Sequence, residues 1–185
     1  MLLKIEETFE VHESLEDVWA FWSDPGKVAP CVPGVEVGPQ DGYSYQCTIN
    51  LKVGTSISRY RGELRIARLD APNHEVEILG EGRGASGRGS GSVKIAGRLR
   101  SLASGGTAVA AACEMSFVGM LEQFDSRLAT EGSKIIFEEF VQNFRARLRQ
   151  PLNTPEVSAA DAVANILDVT SLAWKIAVAF LREHS

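Results

Sequence analysis

The feature that most limits what this chain can fold into is a period-two alternation of apolar and polar residues. It repeats through five consecutive runs and then gives way to a period of 3.6. Between 43 and 53, Tyr43, Tyr45, Cys47, Ile49, Leu51 and Val53 alternate with Ser44, Gln46, Thr48, Asn50 and Lys52, the pattern of a strand with one buried face. Similar runs cover 56–69 (Tyr60, Leu64 and Ile66 inward), 74–82 (Val76, Ile78), 89–100 (Val93, Ile95, Leu99) and 106–117 (Val109, Cys113, Met115, Phe117). Pro72-Asn73 and Gly105-Gly106 punctuate them, which predicts an antiparallel meander. An earlier strand is expected at 3–11, where Leu3, Ile5, Phe9 and Val11 alternate with Lys4, Glu6, Thr8 and Glu10.

Two short helical pieces lie between that first strand and the meander. Ser14 opens Ser-Leu-Glu-Asp, a capping-box-like start, and Val18, Trp19, Phe21 and Trp22 form an apolar face that stops before Pro25. A further helical turn is expected after Asp24, with Pro25 near its first position, ending before Pro33-Gly34. After Gly119, Leu121, Phe124, Leu128, Ile135, Phe137, Phe140, Val141, Phe144 and Leu148 recur at helical spacing and predict a helix of roughly 30 residues. The expected class is α+β: a curved antiparallel sheet wrapped around one long C-terminal helix.

A single helix does not fill the concavity of a strongly curved sheet, so this architecture tends to leave an apolar cavity. The candidate lining from the sheet is Tyr43, Tyr45, Ile49, Leu51, Tyr60, Leu64, Ile78, Met115 and Phe117, with Phe9 and Trp19 from the N-terminal elements. Leu121, Phe124, Leu128 and Phe140 would face them from the helix. An ordinarily filled core carries the same residues, so both readings stay open at this point.

The rest of the sequence excludes more than it assigns. Hydrophobic residues make up 44% and charged residues 23%, and 24 acidic against 19 basic side chains leave a net charge of −5, whereas nucleic-acid binders usually carry a basic excess. Gly82-Arg-Gly84-Ala-Ser-Gly87 fits the dinucleotide fingerprint as a string, but Ser92-Val-Lys-Ile95 follows it as a strand. The phosphate-binding role needs a strand turning directly into a helix. The glycines are therefore expected to serve bends and close approaches. His12, His74 and His184 share no local ligand spacing, and Cys31, Cys47 and Cys113 form no CxxC pair. No metal, cofactor or disulfide framework is expected, and a reducing cytoplasm is the natural setting. Glu7 is a carboxylate on the inward side of the first strand; it is either a polar anchor for a ligand or a strand-end group reaching water.

Pro151 to Pro155 interrupts the long helix, so the chain is expected to divide into a domain at 1–150, a linker at 151–157 and an amphipathic helix at 158–185. Projected at 100° per residue, Asp161, Asn165, Asp168, Ser171, Lys175 and Arg182 form a narrow polar stripe. Val163, Ile166, Leu167, Val169, Trp174, Ile176, Ala177, Phe180 and Leu181 cover the rest. Val163, Leu167, Trp174, Phe180 and Leu181 are the candidate contacts to a membrane or partner. Asp168 disfavours a spanning helix, since a central carboxylate costs about 2.5–3.5 kcal/mol. Three destinations compete: a membrane interface, a partner enzyme or second copy of the chain, and the protein's own body.

The order of motifs resembles the carbon monoxide dehydrogenase CoxG family, a branch of the START-like, helix-grip SRPBCC superfamily. Glu16-Asp-Val-Trp19 is similar to the family's first-helix motif, and Ala29-Pro-Cys-Val-Pro-Gly34 to its CIPG turn. Gly80-Glu-Gly-Arg-Gly84 and Gly91-Ser-Val93 resemble its glycine-rich strand pair. Gly119-Met-Leu-Glu-Gln-Phe-Asp-Ser-Arg-Leu128 resembles the opening of its long helix. Pro30 and Met120 depart from the usual alanine-like residue and lysine. The resemblance implies a non-enzymatic protein with an apolar cavity and no cofactor, holding a lipophilic, quinone-like ligand. It also implies a link between a CO dehydrogenase-type molybdenum hydroxylase and the inner face of the cell membrane. The wider superfamily includes cyclases and hydrolases, which leaves an enzyme using Glu7 or Tyr60, or a ligand-free assembly factor, as alternatives.

Overall fold

The computed structural model of the chain describes residues 2–53, 55–119, 126–150, 166–168 and 171. Strand β1 (Leu2–Val11) leads into α1 (Leu15–Trp22), then α2 (Pro25–Val28), which tightens into a 3-10 turn at Ala29–Cys31. Strands β2 (Val35–Asp41), β3 (Ser44–Val53), β4 (Ser56–Asp70), β5 (Glu75–Gly84), β6 (Ser90–Ser101) and β7 (Thr107–Val118) follow, then α3 (Ser126–Leu148) and a two-residue strand β8 (Leu167–Asp168). The sheet order is β1-β7-β6-β5-β4-β3-β2, antiparallel throughout, with β8 parallel to β3. The expected α+β arrangement, meander and long helix are all present.

Local signals set the helix boundaries. Ser14 Oγ accepts from the Asp17 N–H at 3.3 Å, the N-cap half of the expected box, and its hydroxyl donates to the Asp17 carboxylate at 2.7 Å. Asp24 caps α2 through the Gly26 N–H at 2.9 Å, with Pro25 as its first residue. The alternation pattern does not reveal β2. Gly38 and Pro39 interrupt its pattern, and its pairing with β3 shifts between Val37 and Gln40, a bulge on an edge strand where a missing N–H is tolerated.

The expected uninterrupted helix over 158–185 is corrected at Leu167 and Asp168, which are extended and paired to β3. Ser171 is helical, and its N–H bonds the Asp168 carboxylate at 3.1 Å. A helical projection places Leu167 and Asp168 on one regular surface, and the strand breaks that regularity. The hydrogen bonds offered by the edge of β3 outweigh helical periodicity there. Val163, Trp174, Phe180 and Leu181 lie outside the described residues.

The glycine-rich stretch forms the β5–β6 hairpin, with left-handed Gly87 and Gly89 in its turn and no helix following. It is a strand pair, in agreement with the sequence pattern, and not a pyrophosphate cradle.

One end of the domain is filled by aromatic rings. Phe9, Phe21, Trp22, Phe137, Phe140 and Phe144 meet with centroids 5.2 to 6.4 Å apart, mostly edge to face, the favoured aromatic geometry. Phe144 is fully buried. The Trp22 indole lies directly on β6 at Gly97, where an added Cβ would fall within 2.4 Å of the ring. Gly97→Ala should therefore lower unfolding stability by about 1–3 kcal/mol through overpacking. Phe144→Ala should lower it by about 3–5 kcal/mol through the cavity it leaves. Urea denaturation of both variants checks this; a Gly97→Ala protein as stable as the parent would show that the ring is not held on the strand.

Candidate ligand site

Cross-strand register shows which side chains share the concave face. Tyr45, Leu64, Gly80, Val93, Met115 and Leu3 form one row across six strands. Cys47, Gly62, Gly82, Gly91 and Phe117 form the next row, and Ile49, Tyr60 and Gly84 the one after it. On the other side of the first row, Ile66, Ile78, Ile95, Cys113 and Ile5 lead towards the aromatic end. Three adjacent glycines on this face remove side-chain volume from the middle of the sheet and permit its bending. At Gly62 an added Cβ would lie 2.8 Å from Gly82 Cα.

The helix above shows the same gradient. Phe137, Phe140, Val141 and Phe144 point into the aromatic end. One to two turns earlier, the buried positions on α3 are Gly132 and Ser133, and the Ser133 hydroxyl bonds its own helix at Thr130 O (2.7 Å). Large residues thus meet large residues at one end of the molecule. The N-terminal part of α3 buries small residues, and the sheet rows away from the aromatic end are rich in glycine.

The expected lining divides accordingly. Tyr45, Leu51, Leu64 and Ile78 are buried, and Ile49, Tyr60, Met115 and Phe117 are half-buried on the same face. Phe9 and Phe140 belong to the aromatic plug, where ring contacts occupy them. Trp19 packs edge-on against His74 at 5.3 Å, away from the glycine rows. Tyr43 is corrected: it stands at the mouth of the β2–β3 turn and is 72% exposed, because alternation identifies a face but not where the strand outruns its neighbours. Leu121 and Phe124 lie outside the described residues, as does the side chain of Leu128.

Polar groups at the walls are few. The Tyr45 hydroxyl donates to Asp24 at 3.3 Å, and burial, then the Asp24 charge, raise its pKa. Glu7 is exposed, in an open groove of about 380 Å³ between β1 and α3 with Lys134, Glu138 and Arg145. Its register row holds Ala111, Gly97 and Val76. Tyr60 lies four residues beyond the Leu64 row in one direction and Glu7 four beyond it in the other. At about 3.3 Å per residue they are roughly 25 Å apart along the strands, so no single small substrate touches both. Among the described residues no group of three or more His, Cys, Asp or Glu could hold a metal, and no helix is long and apolar enough to cross a membrane.

Cys31 is fully buried under α3, its thiol directed at Lys27 O at 3.6 Å. Burial pushes it up to about 12, against a small opposing effect of Arg147. Burial also pushes Cys113 up to about 11 and raises Cys47, with Glu114 and Glu63 respectively adding to it.

Residues 8–149 match the family described as CoxG of carbon monoxide dehydrogenase. No curated protein sequence matches the chain. Among solved structures, a conserved protein from Geobacillus kaustophilus is similar at a TM-score of 0.68 and 16% identity, over 79% of this chain and 95% of that one. A START superfamily protein from Mycobacterium smegmatis aligns at TM-score 0.57 and 10% identity, over 80% and 97%. The ZhuI aromatase/cyclase from a Streptomyces species aligns at 0.51 and 12%, over 80% and 92%. At these identities the likeness establishes a shared START-like fold.

The three thiols should resist modification in the native state. Reaction with a chromogenic disulfide at pH 8 should be slow until urea is added and then reach all three cysteines. Because the folded-state values lie above the ordinary 9.0, native and unfolded chains are equally protonated below that pH. Stability is then lost as pH climbs from 9 towards 11, and Cys113→Val should flatten that loss in urea titrations.

Proposed function

The chain belongs to the carbon monoxide dehydrogenase CoxG family, and from that premise we propose that it is a non-enzymatic carrier. It holds a lipophilic, quinone-like molecule between the glycine-rich half of its sheet and the first turns of α3. It presents that molecule, at the inner face of the cell membrane, to a CO dehydrogenase-type molybdenum hydroxylase. The observation that carries this reading is the size gradient. Rings fill one end of the sheet–helix interface, whereas Gly62, Gly82 and Gly91 form a row without side chains on the concave face and α3 buries the small residues Gly132 and Ser133 ahead of its aromatic ones. A wall that is mostly apolar, with the Tyr45 and Tyr60 hydroxyls and Asp24 among its few polar groups, suits a ligand that is mostly hydrocarbon.

Contact with an anionic bilayer is supported by the outer face at the same end. Arg61 and Arg83 oppose one another across β4 and β5, and Arg88 lies in the adjoining turn. Like charges placed opposite one another cost stability, and none of the three is in an ion pair among the described residues. Glu63 and Glu81 lie one row further in. Ile57 and Val118, 60% and 59% exposed, flank the arginines with apolar surface.

The enzyme alternative that uses Glu7 is less well supported, because Glu7 is exposed to water. Organic extraction and native mass spectrometry of the purified protein test the proposal: about one apolar quinone-like molecule per chain is expected. Leu64→Trp, which adds volume at the site, should reduce occupancy about tenfold, or ~1.4 kcal/mol. Empty protein with a turnover that Glu7→Gln abolishes would establish the enzyme instead. Empty protein held tightly by a molybdoenzyme would establish an assembly factor.

A further inference from the structure

The edge of β3 has two tenants. β2 covers it as far as the Val35–Ile49 pair, and the Asn50 N–H reaches back to Gly34 O at 2.9 Å. Beyond that point the edge is taken by Leu167 and Asp168, in parallel register with Leu51 and Lys52. An open strand edge offers unpaired N–H and C=O groups to any extended peptide. This one is shaped for its occupant. Gly34 turns at φ +83°, and a Cβ there would come within 2.9 Å of Leu167 Cβ and 3.0 Å of its nitrogen. The neighbouring Asn50 is 5% exposed and pinned from both sides, donating to Glu36 at 3.1 Å and accepting from Arg59 at 3.1 Å. The groove floor is thus rigid, and its bare glycine is where the segment lies.

We propose that this edge is a docking site for the chain's own C-terminal segment, and that the docked segment is a reversible clasp. Engaged, it ties residues 166–168 to the ligand domain; released, it frees the apolar C-terminal sequence to meet the bilayer. The second half rests on the membrane contact proposed above. The contact is small enough to open. Among the described residues it comprises two residues of strand and the Lys52–Asp168 ion pair, 3.3 Å long with side chains 43% and 34% exposed. An ion pair that exposed is strongly screened. Asp168 also accepts from the Ser171 N–H, so engagement couples strand pairing to the helical backbone at Ser171.

The test uses the full-length protein. Cysteines at Lys52 and Asp168, opposite one another in the register, lie at strand-to-strand spacing, within reach of a disulfide. Oxidation should form the staple readily without lowering the melting temperature. Lys52→Glu should raise the rate of proteolysis C-terminal to residue 150 several-fold, and Lys52→Glu combined with Asp168→Lys should restore protection. A staple that does not form, or a cleavage rate unmoved by Lys52→Glu, overturns the docking site. Flotation with vesicles containing phosphatidylglycerol should fall for the stapled protein and recover on reduction. Equal flotation in both states, with the staple formed and Lys52→Glu cleaved faster, upholds the docking site and overturns its link to the membrane.

Discussion

The seating of Trp22 on Gly97 fixes the geometry on which the remainder depends. α1 is short, and it reaches the sheet only because β6 has no side chain where the indole lies. From there Trp22 contacts Phe140 and Phe144, and Phe9 contacts Phe137, Phe140 and Phe144, so the last turns of α3 are held by edge-on rings from two directions. The Trp22 Nε1 is buried without a hydrogen-bond partner among the described residues, at a cost of about 1–3 kcal/mol. The dense aromatic packing around it offsets that cost. A larger residue at 97 would push the helix away and open the core to water.

Directional bonds then set the helix relative to the rest. Asn143 donates to Cys31 O at 2.9 Å, and Arg145 donates to Glu10 O at 2.7 Å. Thr107, fully buried, donates to Glu13 O at 2.9 Å and secures the chain between β1 and α1. All three lie at the aromatic end. A helix clamped over its C-terminal half needs little filling over its N-terminal half, which is why Gly132, Ser133 and the glycine rows are compatible with a stable protein. The packing that stabilises the fold is concentrated at one end, and the site proposed for the ligand lies towards the other.

Most of this architecture is legible in the sequence because its determinants are local. Alternation from Tyr43 to Val53 and from Thr107 to Val118, the Ser14 box and the Asp24-Pro25 start all act within a few residues. The failures have non-local causes. β2 is a strand because β3 pairs with it, despite Gly38 and Pro39. Leu167 and Asp168 satisfy a helical stripe on paper and are extended because a strand edge lies beside them. Tyr43 alternates in step with Tyr45, yet it extends past the neighbouring elements into solvent. Phe9 and Phe140 have the composition of a cavity lining, and they pack against other rings because register and helix phase bring aromatic residues together there. Periodicity specifies which face a residue occupies; whether that face is filled depends on what the opposite element contributes at the same height.

The same reasoning gives the glycine-rich stretch its purpose. As a string it fits a phosphate-binding fingerprint, yet its glycines divide by role. Gly87 and Gly89 supply left-handed turn residues, whereas Gly82 and Gly91 join Gly62 in a row on the concave face. A row without side chains across three neighbouring strands forgoes apolar burial of about 25 cal/mol for every Å² that larger residues would have contributed. An apolar ligand lying along that row would supply the missing surface itself. On the proposed function, the stability forgone in the empty protein would become binding free energy in the loaded one and would couple occupancy of the site to the rigidity of the sheet around it.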